Sequence, residues 1–505
     1  MPAASSTIAP EPVRLRYILS LILLSSLAFH LAHAVPRLSF LVLAYLYGAV
    51  RIAQLPTSRQ AFYSGFFLGF LAFGPQLFFF FHLFGFGSVP LWAVLALWEG
   101  LFCLLAWQVR FHLGLRNSLI LLPFIWTGLE YFRSELYYLK FSWLIPGYLF
   151  SSSLPAIPMA YIGVYGAGFV LVAVAALLTA LPSKSRLFLG LACGGLLLLP
   201  ATYAAQSVPA PGKGKLIVAG LQMEFPGDTE LKLLLDKLAV AHADAQLIVL
   251  SEYTFDGPVP NWLLRWCLEQ RRFLIVGGKE PTGSGAFRNT VFVVNPAGEI
   301  VFEQGKSVPI QFFNDGLPAK TQRVWESPWG KIGLCICYDL SYTRVTDALV
   351  RMGAQALIVP TMDIQEWGPY QHNLHARVPP IRAAEYGVPI FRLASSGISQ
   401  AIDSDGRVLA STRFAEDGAV LLQALEMKQP GKLPFDRKLA PFCVGLSALL
   451  IVLIAFLTLK NRRSRLRTMS DSTPVQSDSL KQNQPLRSAN SWLDAWLHPW
   501  LQSLS

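Results

Sequence analysis

The hydrophobic positions follow two regimes along the chain. Up to about residue 205 they form long unbroken blocks, and from about 213 to 430 they break into short runs between polar stretches. A helix that crosses hydrocarbon needs roughly 20 apolar residues. Blocks near that length lie at 17–35, 38–55, 61–84, 90–109, 118–133, 157–181 and 187–205, with an eighth at 440–459. They predict seven spans before the polar middle and one after it. Ala32-His33-Ala34 imitates a signal-peptidase site, but the preceding apolar stretch is long for a signal peptide and more spans follow at once, so the segment reads as retained.

In the middle region, strands are expected at 216–223, 246–251, 273–278, 290–295, 300–304, 331–337, 356–360 and 389–394. These runs are rich in Val, Ile and Leu with little alternation, as in strands covered on both faces. Helices are expected at 229–242, 341–352 and 370–386, the last kinked or split by Pro379-Pro380. Asn295-Pro-Ala-Gly298 and Asp403-Ser-Asp-Gly406 mark turns. The alternation predicts a layered α/β domain. The chain divides into a seven-helix membrane part (1–210), the α/β domain (211–432), an eighth span (433–460) and a mostly disordered tail (461–505). That tail ends in Trp492, Leu493, Trp496, Leu497, Trp500 and Leu501, at near-helical spacing that suggests a short interfacial helix.

Composition supports the membrane reading. Only 14% of residues are charged and 53% are hydrophobic, where soluble proteins carry about 25% charged residues. The net charge of +11 points away from nucleic acid once it is located. Between 206 and 436 the two signs nearly balance, so the excess lies in the flanks. Arg14 and Arg16, Arg51 and Arg59, Arg110 and Arg116, Lys184 and Arg186, and the Lys460–Arg467 cluster all fall on alternate loops. Short basic loops stay cytoplasmic. Both termini are therefore expected inside and the α/β domain outside.

Six cysteines in this length imply no disulfide framework. Cys103, Cys193 and Cys443 fall within spans; Cys267, Cys335 and Cys337 fall in the α/β domain. Cys335 and Cys337 would share one face of a strand at a Cα separation of roughly 6.5 Å, where a bridge is strained. Free thiols are expected.

Three reactive groups stand at strand C-terminal ends, the edge on which layered α/β folds open toward ligands. They are Glu252, Lys306 and Cys337. A carboxylate can take the proton of a thiol, and an ammonium can stabilise a thiolate and an oxyanion. Singly, each also has an ordinary reading, as solvated strand ends or core filler. His372 and His375 share a helix face without an evident third ligand, so no metal is expected.

These positions carry a resemblance. Ser251-Glu252, the Lys306 loop and Cys337-Tyr338-Asp339 resemble the Glu–Lys–Cys framework of the nitrilase (carbon–nitrogen hydrolase) superfamily. Gln222, Arg288-Asn289, the stretch from Gln371-His372 to Arg382-Ala-Ala-Glu385, and Arg392-Leu-Ala-Ser-Ser-Gly397-Ile match its surroundings. Trp126, Glu130, Arg133-Ser134, Phe141-Ser-Trp-Leu-Ile-Pro-Gly-Tyr148 and Ile162-Gly-Val-Tyr-Gly-Ala-Gly168 are similar to one branch, the membrane-embedded apolipoprotein N-acyltransferases. The resemblance implies an α-β-β-α sandwich on a bundle of about eight helices, in a bacterial inner membrane with the catalytic domain periplasmic. It implies Glu252, Lys306 and Cys337 as catalytic residues, with Asn289, Tyr338 and Asp339 around them.

It further implies acyl transfer from a phospholipid, through a Cys337 thioester, to the N-terminal amine of a diacylglyceryl apolipoprotein. Membrane lipid and these two substrates are the expected partners of a monomer; no cofactor is expected. Trp143, Tyr148 and Trp329 are read as interfacial contacts, and Glu130 with Arg133 as an ion pair or a headgroup contact. Two departures stand out. Asp339 replaces a Glu, and the Lys306 loop lacks the family's Pro-Phe-Gly-Glu, which leaves Asp315 and Asp339 as alternatives for the missing carboxylate. The altered loop keeps a membrane-tethered amidase or nitrilase-type hydrolase as the alternative activity, and a catalytically silent scaffold as the third.

Overall fold

The computed structural model describes residues 14–152, 158–186, 190, 215–283 and 285–471. The expected span at 187–205 (Gly190 apart), Cys193 and the tail beyond 471 with its Trp492–Trp500 segment lie outside them.

Helices α1 (Leu15–Ala34), α2 (Val42–Ile52), α3 (Ser58–Gln76), α4 (Phe79–Phe84), α5 (Ser88–Leu113), α6 (Leu115–Tyr131) and α7 (Met159–Ala180) precede the middle region. α1 stops where Val35 turns extended before Pro36, a residue that disfavours helix in its predecessor. α3 starts at Thr57, whose hydroxyl accepts from the Gln60 amide. Among the described residues four helical stretches are long and apolar enough to cross a membrane: Leu15–Ala34, Phe79–Leu113, Met159–Ala180 and Asp436–Ser464. α2, α3 and α6 stand at expected positions without meeting that test, α2 because it has 11 residues.

The middle region forms two six-stranded sheets. The first runs β12-β1-β2-β3-β4-β5, from β1 (Leu216–Leu221), β2 (Leu247–Val249), β3 (Phe273–Pro281), β4 (Phe287–Val294), β5 (Ile300–Gly305) and β12 (Val420–Leu425). The second runs β11-β10-β9-β8-β7-β6, from β6 (Val324–Ser327), β7 (Gly330–Leu334), β8 (Ala356–Thr361), β9 (Ile390–Ala394), β10 (Gln400–Ile402) and β11 (Val408–Ser411). Val218, Val249 and Ile275 from one sheet share a core with Ile332, Val359 and Phe391 from the other. The first sheet's outer face packs Ile248, Leu274 and Val276 on α8 (Asp228–Ala241) and α9 (Asn261–Gln270). Helices α10 (Thr343–Arg351), α11 (Gly368–His375) and α12 (Val378–Tyr386) follow, and the expected helix at 370–386 is split before Pro379-Pro380. This is an α/β sandwich, with β6, α9 and β10–β12 beyond those expected. Contacts group residues 1–454 as one unit and 455–505 as another, whose described part is the end of the last helix, α13 (Asp436–Asp471).

One junction explains a motif singled out by the sequence. Gly163 breaks α7 with φ +71°, a conformation glycine adopts without strain, and a Cβ there would strike the Asp436 carboxylate. The freed amides are taken up by carboxylates: Val164 N donates to Glu385 at 2.7 Å and Tyr165 N to Asp436 at 3.0 Å. Arg437 holds those carboxylates, with Glu385 at 2.8 Å, Asp436 at 2.7 Å and Asp347 at 3.0 Å. Arg382 adds a second cation to Glu385 at 2.6 Å. Burial opposes ionisation of Glu385, but Arg437 and Arg382 outweigh it and hold its carboxyl down at about 2. Arg437→Leu should therefore destabilise the fold by about 3–5 kcal/mol, because it strands buried charge. Because the Glu385 value is depressed, its share of stability is present above the ordinary 4.5 and lost as pH falls toward 2. Thermal unfolding of wild type and variant across that range checks both statements. An unchanged melting temperature in the variant contradicts them.

Candidate active site

Glu252 stands three residues after β2, Lys306 directly after β5 and Cys337 three after β7. All three are at most 2% exposed. The Lys306 ammonium donates to Glu252 Oε1 at 2.9 Å and to Asp315 Oδ2 at 2.7 Å. Asn289 Nδ2 bridges the same carboxylates, at 2.6 Å from Glu252 and 2.9 Å from Asp315. The Met362 amide donates to Glu252 Oε2 at 2.7 Å, and the Cys337 thiol points at Met362 O, 3.7 Å away. One residue thus joins carboxylate and sulfur.

Cys337 does not continue the strand, as the sequence pattern suggested. β7 ends at Leu334 and Cys337 takes φ +51°, a left-handed conformation that costs a side-chain-bearing residue about 1–2 kcal/mol. The turn that follows (Cys337–Ser341) lifts the sulfur away from Cys335, and both are free, buried thiols, as are Cys103, Cys267 and Cys443. Asp339 fixes this turn to the lysine segment. Its carboxylate accepts from the Ser307, Val308 and Ile336 amides at 3.0, 2.7 and 3.3 Å.

The two candidate carboxylates differ in what they touch. Asp315 touches the lysine, accepting also from Tyr253 OH at 2.8 Å and Ile310 N at 2.8 Å, whereas Asp339 serves backbone amides. Burial pushes the Cys337 thiol well above its usual range; Glu252 adds to this and Lys306 opposes it. The resting form is the thiol, which needs a base. Burial also raises Glu252, countered by Lys306 and reinforced by Asp315, which suits a proton acceptor. Lys306 is well above its usual value, because Glu252 and Asp315 outweigh its burial. Burial works against the charge on Asp315, but Lys306 wins and its carboxyl lies below the usual value.

The Asp315 charge therefore has a measurable signature. In Asp315→Asn, Glu252 loses a neighbouring negative charge and its pKa falls. The acid limb of the pH–rate profile should move to lower pH, with a loss of about tenfold or less near pH 7. A limb that stays put, or moves up, contradicts this.

Beyond the sulfur lies a second cluster the sequence did not assemble. Asp363, after β8, accepts from His375 Nδ1 at 2.9 Å and Gln371 Nε2 at 2.9 Å, and is paired with Arg392. Cys337 Sγ, an Asp363 oxygen and a His375 ring nitrogen lie within 4.8 Å of one another. His375 thus does have acidic and thiol neighbours, but the Arg392 guanidinium on Asp363 repels a cation. Asp363 carries no local sequence signal; its partner Arg392 lies in the Arg392–Gly397 segment that did.

An apolar cavity of about 110 Å³ adjoins the site. It is lined by Phe79, Phe80 and Phe84 from α4 and its end, Phe312 and Phe313 from the loop after Lys306, and Tyr338 next to Cys337. Two interfacial readings are corrected here. Trp143 is buried, stacked on His375 at 4.6 Å and donating to Ser341 Oγ at 2.9 Å. Tyr148 is buried with its hydroxyl accepting from Arg382 at 3.0 Å, whereas Trp329 is only partly buried and packs on Phe273 and Trp325. Glu130 and Arg133 are both buried and form no ion pair with each other, which corrects the ion-pair reading; they line a second cavity together with Glu99 and Trp126.

Comparison with known proteins covers both parts of the chain. Residues 23–177 match the apolipoprotein N-acyltransferase N-terminal domain and residues 237–432 the carbon-nitrogen hydrolase domain. The chain is 26% identical over 360 residues to an apolipoprotein N-acyltransferase of Geobacter metallireducens, covering 60% of this chain and 68% of that one. It is 27% identical over 457 residues to one of Pseudomonas paraeruginosa, covering 77% and 86%. A solved amidase from Nesterenkonia sp. is similar over 43% of this chain and 92% of its own, at 19% identity and a TM-score of 0.37.

Proposed function

We propose how this chain, which belongs to the apolipoprotein N-acyltransferases of the nitrilase superfamily, carries out lipoprotein N-acylation. In the first stage Glu252 takes the Cys337 proton and the sulfur attacks the ester carbonyl of a phospholipid acyl chain. The Lys306 ammonium faces the developing oxyanion. Glu252 returns its proton to the leaving glyceryl oxygen, a lysophospholipid departs, and an acyl thioester remains on Cys337. In the second stage the N-terminal amine of a diacylglyceryl-cysteine apolipoprotein attacks the thioester, the C–S bond breaks, and the amide forms.

One observation carries this reading: Tyr338, the residue after Cys337, and the loop after Lys306 line an apolar cavity whose other wall is Phe79–Phe84 and Leu91–Leu95 of the membrane helices. Extracting each buried CH₂ of an acyl chain into water costs about 0.8 kcal/mol. A cavity continuous with the hydrophobic helices lets both lipid substrates react without that transfer. The membrane part (1–210) and the last span (433–460) supply eight crossings, with the basic loops and both termini cytoplasmic, the catalytic part (211–432) periplasmic and the tail (461–505) inside. The enzyme acts as a monomer in the bacterial inner membrane, and Tyr338, Asp339 and Asn289 shape the site around the three reacting groups.

The test uses purified protein in micelles. With an acyl-labelled phospholipid, intact-protein mass spectrometry should show one acyl adduct on Cys337 and release of lysophospholipid. Adding a diacylglyceryl peptide should move the label to the peptide amine. Release of free acid or ammonia without transfer points to the hydrolase instead and overturns the proposal.

A further inference from the structure

The second stage has a proton that the three residues above do not place. At neutral pH an N-terminal amine, with a pKa of about 7.7–8.0, arrives mostly as an ammonium with three protons. The amide keeps one. Of the two that leave, one returns to the departing Cys337 sulfur by way of Glu252. The other needs a second acceptor next to the thioester.

Resting on the acyl-transfer reading, we propose that His375 takes this first proton from the incoming ammonium. A ring nitrogen of His375 and an oxygen of Asp363 lie within 4.8 Å of Cys337 Sγ and of each other. Nδ1 has both Asp363 Oδ1 and Arg392 Nη2 at 2.9 Å, and it cannot both donate to one and accept from the other. A carboxylate oxygen can only accept, so the hydrogen bond to Asp363 Oδ1 puts the proton on Nδ1, and Arg392 Nη2, which donates to Asp363 Oδ2, then stands beside the ring without donating to it. Nε2 then carries the lone pair, and it is buried without a hydrogen-bond partner. A buried basic nitrogen left vacant is costly unless something arrives to fill it.

The surroundings keep the ring in the accepting form. Burial outweighs Asp363 and, with Arg392 and His372 adding, holds His375 below its usual value and neutral. Trp143 stacks parallel to the ring, within 20°, and fixes its plane. Across the sulfur stand Glu252 and Lys306, already engaged with each other. The step balances: the ammonium becomes a neutral amine and His375 an imidazolium. The amine nitrogen then bonds to the thioester carbon as the C–S bond breaks. The imidazolium afterwards gives its proton to water.

The two stages can be timed separately on the full-length protein. Wild type, His375→Gln and His375→Phe are charged with acyl-labelled phospholipid, freed of donor and mixed with diacylglyceryl peptide between about pH 6.5 and 9. Thioester formation should persist in both variants and slow far less than transfer, and the adduct itself shows that they fold. Transfer should slow by about 100-fold near pH 6.5, and the gap should close to within about threefold near pH 9, where the amine arrives neutral. A deficit that is equal at every pH, no deficit, or an equal slowing of thioester formation overturns the assignment of His375 and leaves the nucleophile intact. Absence of any adduct in wild type overturns the acyl-transfer reading itself, and the inference with it.

Discussion

Cys337→Ala is expected to leave no acyl adduct and to lower transfer by about 10⁴-fold or more, since the route through a covalent intermediate is lost. The fold should survive the change. The thiol makes one weak contact, to Met362 O at 3.7 Å, and alanine at φ +51° bears the same backbone strain as cysteine. Cys337→Gly goes further: it relieves the left-handed strain and should raise stability by about 1 kcal/mol while remaining inactive. A gain in stability paired with loss of activity is the signature of a conformation kept for chemistry. Cys335→Ala is the control. Cys335 is fully buried between the sheets, two residues away, and its loss should cost about 1 kcal/mol of stability and less than a factor of three in rate. Melting curves and single-turnover adduct formation on the three variants decide the matter. An adduct that persists in Cys337→Ala and vanishes in Cys335→Ala moves the nucleophile to the other thiol.

The sequence made some elements legible for a physical reason and hid others for another. β1–β4 and β7–β9 announced themselves because both faces are covered, so their apolar runs are continuous. β11 and β12 have exposed positions mixed into four and six residues, and β10 has only three, Gln400–Ile402. α9 reads Asn-Trp-Leu-Leu-Arg-Trp-Cys-Leu-Glu-Gln, in which Leu263, Trp266 and Cys267 are buried while Trp262 and Leu264 pack on the core only in part.

Glu252, Lys306 and Cys337 were visible because each was expected at the C-terminal end of a strand. The partners around them were not. Asp315 lies in an irregular loop, and its approach to Lys306 depends on the path of residues 307–314. Asp363 meets Arg392 across 29 positions. Aromatic residues misled in a consistent way: an amphipathic ring suits a membrane interface and a buried stack equally well. Trp143 proved to be the second kind, closing over His375 and standing edge-on to Tyr338.

The second large effect is expected from Lys306→Met. The change removes the one ammonium shared by Glu252 and Asp315, and Asn289 then binds two adjoining buried carboxylates with no cation between them. Two consequences follow in the same direction. The oxyanion loses its charged partner, worth about 3–4 kcal/mol in the barrier. Glu252, already raised by burial, loses the attraction that opposed the rise and holds a proton at neutral pH. A protonated Glu252 cannot take the Cys337 proton, so adduct formation at pH 7 should fall by about 10³-fold or more. Stability should also drop by about 3–5 kcal/mol, since breaking a buried pair leaves its partners uncompensated. The double variant Lys306→Met with Asp315→Asn separates the two effects. Removing the second carboxylate should restore much of the stability and lower the Glu252 pKa, yet leave the rate depressed by the missing oxyanion partner. A double variant that recovers wild-type rate would mean that Lys306 only balances charge and does not act on the acyl group.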